Sequence, residues 1–252
     1  MILSVFEGYT YDGQFLDYST GNLSGEPHLF SAPSKESIHI SLLALAVSGN
    51  THALEFVGGM DAALRLIDLK LDGYQAFNAT YPAFGCFTPW VSFSAVNQSL
   101  EPAWDWSDPY RVPGLDNGEW FWSLYALAAA LDQQVQQGQG QGQGQAARAE
   151  RVRSVVDCQK QNAKTMFYRG NGDVSAVICI IDPFLPPMNS SNYKHCDGWL
   201  NDPYEGEHLR GPYAIASLNF LLLCSLCLCK YTALRYVCLL CMYLMTLASR
   251  YT

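Results

Sequence analysis

Three carboxylates, Asp202, Glu205 and Glu207, fall within the stretch Leu200-Asn201-Asp202-Pro203-Tyr204-Glu205-Gly206-Glu207. An aromatic ring stands among them, Pro203 stiffens the backbone and Gly206 allows it to bend. Upstream, Arg111-Val112-Pro113-Gly114-Leu115-Asp116-Asn117-Gly118-Glu119-Trp120-Phe121-Trp122 again concentrates acids, glycine and aromatics. Paired carboxylates can protonate a leaving oxygen and activate a water, and carboxylates beside aromatic faces bind sugars. The two segments therefore predict one carbohydrate cleft, with the rest of the chain as its scaffold.

The composition fits a hydroxyl-rich, uncharged ligand. Of 252 residues 49% are hydrophobic, 13% aromatic and 15% charged, and the net charge is −8. Phosphate backbones demand clustered Lys and Arg, so nucleic acid is excluded as a partner. Nine cysteines suggest disulfides, but five of them (Cys224, Cys227, Cys229, Cys238, Cys241) crowd an apolar C-terminal segment. The other four, Cys86, Cys158, Cys179 and Cys196, are scattered without metal-ligand spacing. His28, His39, His52, His195 and His208 are not at ligand spacing either and read as surface or satisfied polar groups. The Gly138–Gly144 repeats are not followed by Lys-Ser/Thr, so they make no phosphate loop. No metal and no cofactor is expected. Met1 to Phe6 is too short for the apolar part of a secretion signal and lacks a basic flank. Asn22, Asn78, Asn97 and Asn189 each open an Asn-x-Ser/Thr triplet, the acceptor pattern for N-linked sugar.

The elements that position these groups read as mainly helical. Residues 1–33 show no sustained period and are taken as irregular, with room for a short strand. Pro33-Ser34-Lys35-Glu36 starts a helix, and Gly49-Asn50 stops it. A second helix covers Thr51 to Val57 and a third runs from Met60 to Phe77, with Leu64, Ile67 and Leu71 on its apolar stripe. Residues 78–115 form a long aromatic loop, of a length that is usually functional. A fourth helix starts at Asp116, where Asp116 and Glu119 have capping-box spacing. Trp120, Leu124, Leu127 and Leu131 point inward along it. The low-complexity Gln/Gly run 133–145 reads as a flexible surface insertion. A fifth helix spans Ala146 to Phe167, and Asp173 to Asp182 is β-like. Beyond Tyr213 the chain turns apolar. Residues 211–229 are 19 positions without a charge, the lower edge of a membrane span.

Together, Phe77-Asn78-Ala79-Thr80-Tyr81-Pro82-Ala83-Phe84-Gly85, Arg111 to Glu119 and Asn201 to Glu207 resemble the endo-β-1,2-glucanases, glycoside hydrolases that cut β-1,2-linked glucan. The likeness is to their eukaryotic branch and covers residues 34–210. It implies an all-α (α/α)6 barrel, or toroid, an inverting mechanism, and β-1,2-glucan as partner. By position, Glu205 or Glu207 would be the general acid, with Asp116 and Glu119 at sugar subsites. Tyr81, Trp90, Arg111, Trp122, Asp202 and Tyr204 complete the substrate-binding candidates. Five or six helical segments are fewer than twelve, so the toroid is expected to be incomplete. The domain reading is an irregular segment 1–33, a partial glucanase-like helical domain 34–212, and an apolar Cys/Leu-rich tail 213–252 unlike the family. The family's general base lies downstream of the second motif, where this chain has no similar sequence. Two other readings stand beside the enzyme: a non-catalytic carbohydrate-binding remnant, and a small membrane-anchored protein resting on the tail.

Overall fold

The structure, a computed structural model, describes residues 8–11, 13–94, 99–104, 110–138, 142–170, 173–187 and 189–200. The chain opens with an exposed antiparallel hairpin, β1 (Gly13–Leu16) and β2 (Leu23–His28), followed by a two-residue strand, β3 (Phe30–Ser31). Helix α1 (Pro33–Val47) begins where the sequence says it should. Proline is well suited to the first turn, where its missing N–H costs nothing, and Glu36 lies in that turn beside the positive end of the helix. Asn50 caps α2 (Thr51–Val57) by accepting the Ala53 N–H at 3.0 Å, and Gly58 ends it in the left-handed conformation. Helix α3 (Met60–Thr80) follows.

The aromatic loop is less of a loop than its composition suggests. It contains β4 (Val91–Ser94), β5 (Ser99–Pro102) and β6 (Arg111–Pro113). Helix α4 (Gly114–Gln136) and helix α5 (Gly142–Phe167) make the helical hairpin. Both extend into the Gln/Gly run, and Gln134 and Gln145 are buried there. Then come β7 (Tyr168–Gly170), β8 (Asp173–Ile180) and β9 (Tyr193–Leu200). The strands form three antiparallel sheets among the described residues: β1-β2, β3-β4-β5, and a four-stranded sheet in which β8 pairs with β6, β7 and β9.

The expected all-α (α/α)6 toroid is therefore corrected. Five α-helices are present among the described residues, but they share the fold with these sheets. Two physical reasons combine. Six of the nine strands have only two to four residues and carry no readable period of two, and β3 and β6 find their partners some sixty residues away. Residues 211–249, on which the membrane reading rests, lie outside the described residues. Among those described, no single helix is long and apolar enough to cross a membrane.

The core is one cluster between the helices and the sheets. Leu43 and Val47 of α1, Ile67 and Leu71 of α3, Leu124 and Leu131 of α4, and Val152 and Met166 of α5 are buried in it. Inside this apolar volume sits an ion pair. Lys70 Nζ donates to Glu36 Oε2 at 2.6 Å, and both side chains are almost fully buried. Tyr74 Oη donates to the same oxygen at 2.6 Å. The Thr10 hydroxyl and N–H donate to Glu36 Oε1 at 2.6 and 2.8 Å. Burial alone would raise the Glu36 carboxyl; the Lys70 ammonium and the surrounding donors outweigh that and hold it below the ordinary value. Tyr9 covers the pair and donates to the Lys70 carbonyl at 3.2 Å. Gly73 makes this possible, since a Cβ there would stand 1.5 Å from the Tyr9 hydroxyl. His39, read above as a surface or satisfied group, is buried, and burial, then Lys70, push it down to about 3, so it stays neutral. Its Nδ1 has no hydrogen-bond partner among the described residues.

Two disulfides also correct the reading of the cysteines. Cys86–Cys158 joins the loop after α3 to α5, and Cys179–Cys196 joins β8 to β9. The two pairings span 72 and 17 residues, and no spacing rule links the four cysteines in sequence.

The buried pair generates the first prediction. Lys70→Met strands an uncompensated carboxylate and should cost about 3–5 kcal/mol in urea unfolding. Glu36→Gln/Lys70→Met should cost clearly less than Lys70→Met alone. Equal losses in the single and double variants would show that the charge pairing is not what the site supplies.

Candidate functional site

The site candidates gather where β6 turns into α4. Arg111, Val112 and Pro113 pair with Cys179, Ile178 and Val177 of β8, which fixes the direction in which α4 leaves the sheet. Pro113 occupies the N-cap, so Asp116 is the third helical residue and not a cap. Its carboxylate faces across to the loop before β4, where Trp90 Nε1–H donates to Asp116 Oδ2 at 2.9 Å. The capping-box reading of Asp116 and Glu119 is thereby replaced by a tertiary contact.

Asn117 holds this contact in place. It is fully buried, accepts the Thr88 N–H at 3.0 Å, and donates to the Thr88 and Pro113 carbonyls at 2.8 Å each. The carboxamide thus pairs with Thr88 as a strand neighbour would, two residues before Trp90. The Cys86–Cys158 disulfide pins the same loop from its other side. Gly85 and Cys86 both adopt positive φ, 55° and 65°, in the turn that the disulfide holds. Phe30 of β3 meets Trp90 edge to face, with ring centroids 5.3 Å apart, and Lys35 Nζ lies 5.3 Å from the Phe30 ring.

Helix periodicity places Asp116 and Glu119 one turn apart on one face. Burial raises the Asp116 carboxyl, while the Trp90 indole, the Ser34 hydroxyl and the Lys35 ammonium pull it back. Glu119 is half-buried and takes no hydrogen bond or ion pair among the described residues. Burial first, and the Asp116 charge second, push it up to about 7. The pair can therefore present one carboxylate and one group that exchanges a proton near neutrality, beside an indole and an ammonium. That set suits hydroxyl recognition: a carboxylate accepts from a sugar O–H, and a carboxylic acid or ammonium donates to one.

The remaining candidates divide. Trp122 follows one turn after Glu119 and packs on Phe121 and Tyr125. Arg111 is half-buried on β6. Tyr81 belongs to a different aromatic group with Phe77, Phe84 and Phe184. Asp202, Tyr204, Glu205 and Glu207 lie outside the described residues. The strand leading to them does not. β9 runs antiparallel to β8, with Asp197 opposite Val177 and Leu200 opposite Ser175. Pro113 is also opposite Val177. β6 and β9 thus run parallel on either side of β8 and leave the sheet at the same end, about 10 Å apart by ordinary strand spacing. Ser34, Lys35 and Asn117 were not legible as site residues, because each owes its place to a long-range contact.

A crevice of about 380 Å³ lies between α3 and α5, lined by Phe77, Asn78, Phe87, Trp120, Arg151 and the Cys86–Cys158 pair among others. Neither Asp116 nor Glu119 lines it. Among the described residues no group of three His, Cys, Asp or Glu could hold a metal ion.

Comparison with known proteins agrees with the family resemblance. The family model described as endo-beta-1,2-glucanase SGL matches residues 9–214. The fold is similar to the structure of an endo-beta-1,2-glucanase from Talaromyces funiculosus in complex with sophorose, at 35% identity and a TM-score of 0.72. It is equally similar to a mutant of that enzyme in complex with beta-1,2-glucan, at 34% identity and a TM-score of 0.72. Each match covers 84% of this chain and 42% of the other, so the chain spans less than half the length of these solved structures. No curated protein matches the sequence.

The Glu119 environment predicts a pH signature. Its folded value of about 7 lies above the ordinary 4.5, so the native state holds the proton more tightly than the unfolded chain. The contribution is present below about 4.5 and is lost as pH rises through about 7. Thermal unfolding midpoints should fall across that window, and Glu119→Gln, neutral throughout, should flatten the fall. A variant profile parallel to that of the parent would mean that Glu119 titrates elsewhere.

Proposed function

Because the chain belongs to the endo-β-1,2-glucanase family, we propose that its two acidic segments form one wall of a β-1,2-glucan cleft. The observation that carries this reading is the shared exit of β6 and β9 from β8. It sends the segment bearing Asp116 and Glu119 and the segment leading to Glu205 and Glu207 off one end of one sheet. Asp116, held by Trp90, and Glu119 bind sugar hydroxyls. Trp90 and Trp122 supply apolar ring surface for a pyranose, and Arg111, Tyr81, Asp202 and Tyr204 extend the contacts.

Chemistry falls to the second segment. Glu205 or Glu207 protonates the glycosidic oxygen as the bond breaks. In an inverting reaction a second carboxylate must activate water on the opposite face of the sugar, from some 6.5–9.5 Å away. After Glu207 the sequence contains no Asp or Glu. Within these 252 residues a base would have to come from upstream, with Asp105 and Asp108 of the aromatic loop as candidates; both lie outside the described residues. Taken by themselves, residues 1–252 would then bind glucan without cutting it.

Residues 1–252 should therefore bind linear β-1,2-glucan while cleaving it near background. Loss of general-base assistance typically costs about 10²–10⁴ in rate. Calorimetry on the parent and on Asp116→Ala checks binding, with about tenfold weakening expected for loss of a charged hydrogen bond. Reducing-end release and product length check cleavage. Robust endo-cleavage abolished by Glu205→Gln or Glu207→Gln would show that the chain supplies its own base. Binding unaffected by Asp116→Ala would remove Asp116 from the cleft.

A further inference from the structure

We propose that Asn22 and Asn189 carry N-linked oligosaccharides that cover the two largest groups of exposed apolar side chains among the described residues. Three observations carry it. The first is the compartment. Two disulfides, one of them closing 72 residues, belong to a chain that matures under oxidising conditions. Those are also the conditions in which Asn-x-Ser/Thr triplets become acceptors for oligosaccharide.

The second observation is that the triplets are not equivalent once folded. Asn189 and Ser191 are exposed. Asn189 Oδ1 accepts both the Ser191 N–H at 3.1 Å and the Ser191 hydroxyl at 2.6 Å. The carboxamide oxygen is thus occupied by its own triplet, and Nδ2 takes no hydrogen bond among the described residues. Asn22 and Ser24 are exposed on the β1–β2 hairpin. Asn78 differs. It is half-buried, lines the crevice beside the Cys86–Cys158 disulfide, and its Oδ1 accepts the Cys86 N–H at 2.9 Å. The hydroxyl of its triplet, on Thr80, is turned back to the Ala76 carbonyl at 2.9 Å within α3. Whatever the timing of transfer, the folded chain leaves room for a glycan at Asn22 and Asn189 and not at Asn78. Asn97 lies outside the described residues.

The third observation is what surrounds the two exposed triplets. Phe15, Leu16, Tyr18 and Leu23 are exposed on the hairpin that carries Asn22; Tyr18 is 99% and Phe15 79% accessible. Ile181, Phe184 and Leu185 are exposed around Asn189. The turn Ser190–Asn192 is clamped to that segment, since the Asn192 side chain accepts the Asp182 N–H and donates to the Asp182 carbonyl, both at 2.8 Å. These two groups hold seven of the eleven exposed large apolar side chains among the described residues. Apolar surface gathered into patches calls for a cover. A hydrated oligosaccharide anchored at the patch provides one without a protein partner. In the transfer step the asparagine Nδ2 forms a bond to the anomeric carbon of a lipid-pyrophosphate-linked oligosaccharide. The bond from that carbon to the pyrophosphate oxygen breaks, the lipid pyrophosphate leaves with the electron pair, and the amide gives up one proton.

The test directs the full 252-residue chain, as Asn97→Gln, into the secretory pathway of a eukaryotic host behind a cleavable leader. Occupancy is mapped by peptide mass spectrometry after enzymatic deglycosylation in heavy-oxygen water. Asn22 and Asn189 should be occupied and Asn78 bare. Asn22→Gln and Asn189→Gln should each remove one step of gel mobility. Enzymatic removal of the sugars from the folded protein should raise binding of an apolar dye. An empty Asn22 or Asn189 overturns the assignment at that site, whether or not the disulfides have formed. Glycan at Asn78 overturns the argument from folded geometry. Full occupancy with unchanged dye binding overturns the covering role.

Discussion

A lysine and a glutamate buried side by side constrain a fold more tightly than apolar contacts do, because neither charge can leave without stranding the other. Glu36 accepts from Lys70 and Tyr74 of α3 and from Thr10 of the N-terminal segment. Three stretches of chain are thereby tied at one carboxylate. A hydrophobic replacement of matching shape could be as stable. What the ion pair adds is a single acceptable register between α1 and α3, since a slip of one residue would bury an unpaired charge. The same helical turn reaches the other way. Ser34 and Lys35, the two residues before Glu36, stand beside Asp116. The core ion pair and the candidate cleft are thus built on neighbouring residues of one turn of α1.

The cleft wall is held by a second set of polar contacts with a division of labour. Asn117 uses its whole carboxamide to fasten the Thr88 backbone to the start of α4. That leaves Trp90 within reach of Asp116 without asking Asp116 to do the fastening. Glu119, one turn further on, is partly desolvated and without a partner of its own among the described residues. A carboxyl of this kind is held in place by the packing around it, and its protonation state follows its surroundings and the pH.

Much of the helical frame was legible. Pro33 and Glu36, the Gly49-Asn50 stop and the Gly58-Gly59 break set boundaries by local chemistry, and local chemistry survives folding. The inward stripe of Trp120, Leu124, Leu127 and Leu131 is buried as its period implies. The sheets were not legible in the same way. β3 finds β4 across some sixty residues and β6 finds β8 across a similar gap, and no short window contains such a pairing. For the same reason the capping-box spacing of Asp116 and Glu119 misled, since Trp90 competes for the Asp116 carboxylate from 26 residues away. His39 reads as a surface or satisfied polar group, and only the fold shows that Lys70 and the core close around it. Family likeness pointed to helices all round, while the residues themselves had already marked 173–182 as β-like.

The central position of β8 has a further consequence for how this chain can vary. Because Val177 is registered against both Pro113 and Asp197, everything between β6 and β8 is an excursion whose two ends are pinned within one strand spacing. From the cleft's side, the whole α4–α5 hairpin beyond Glu119 is a long loop with a packed interior. Extra length at its tip costs only loop entropy, which grows logarithmically, about 0.6 kcal/mol for each doubling. The Gln/Gly run lies at that tip, spanning the end of α4 and the start of α5. Inserted between Trp90 and Asp116, or within β9, the same residues would shift the register of the candidate site.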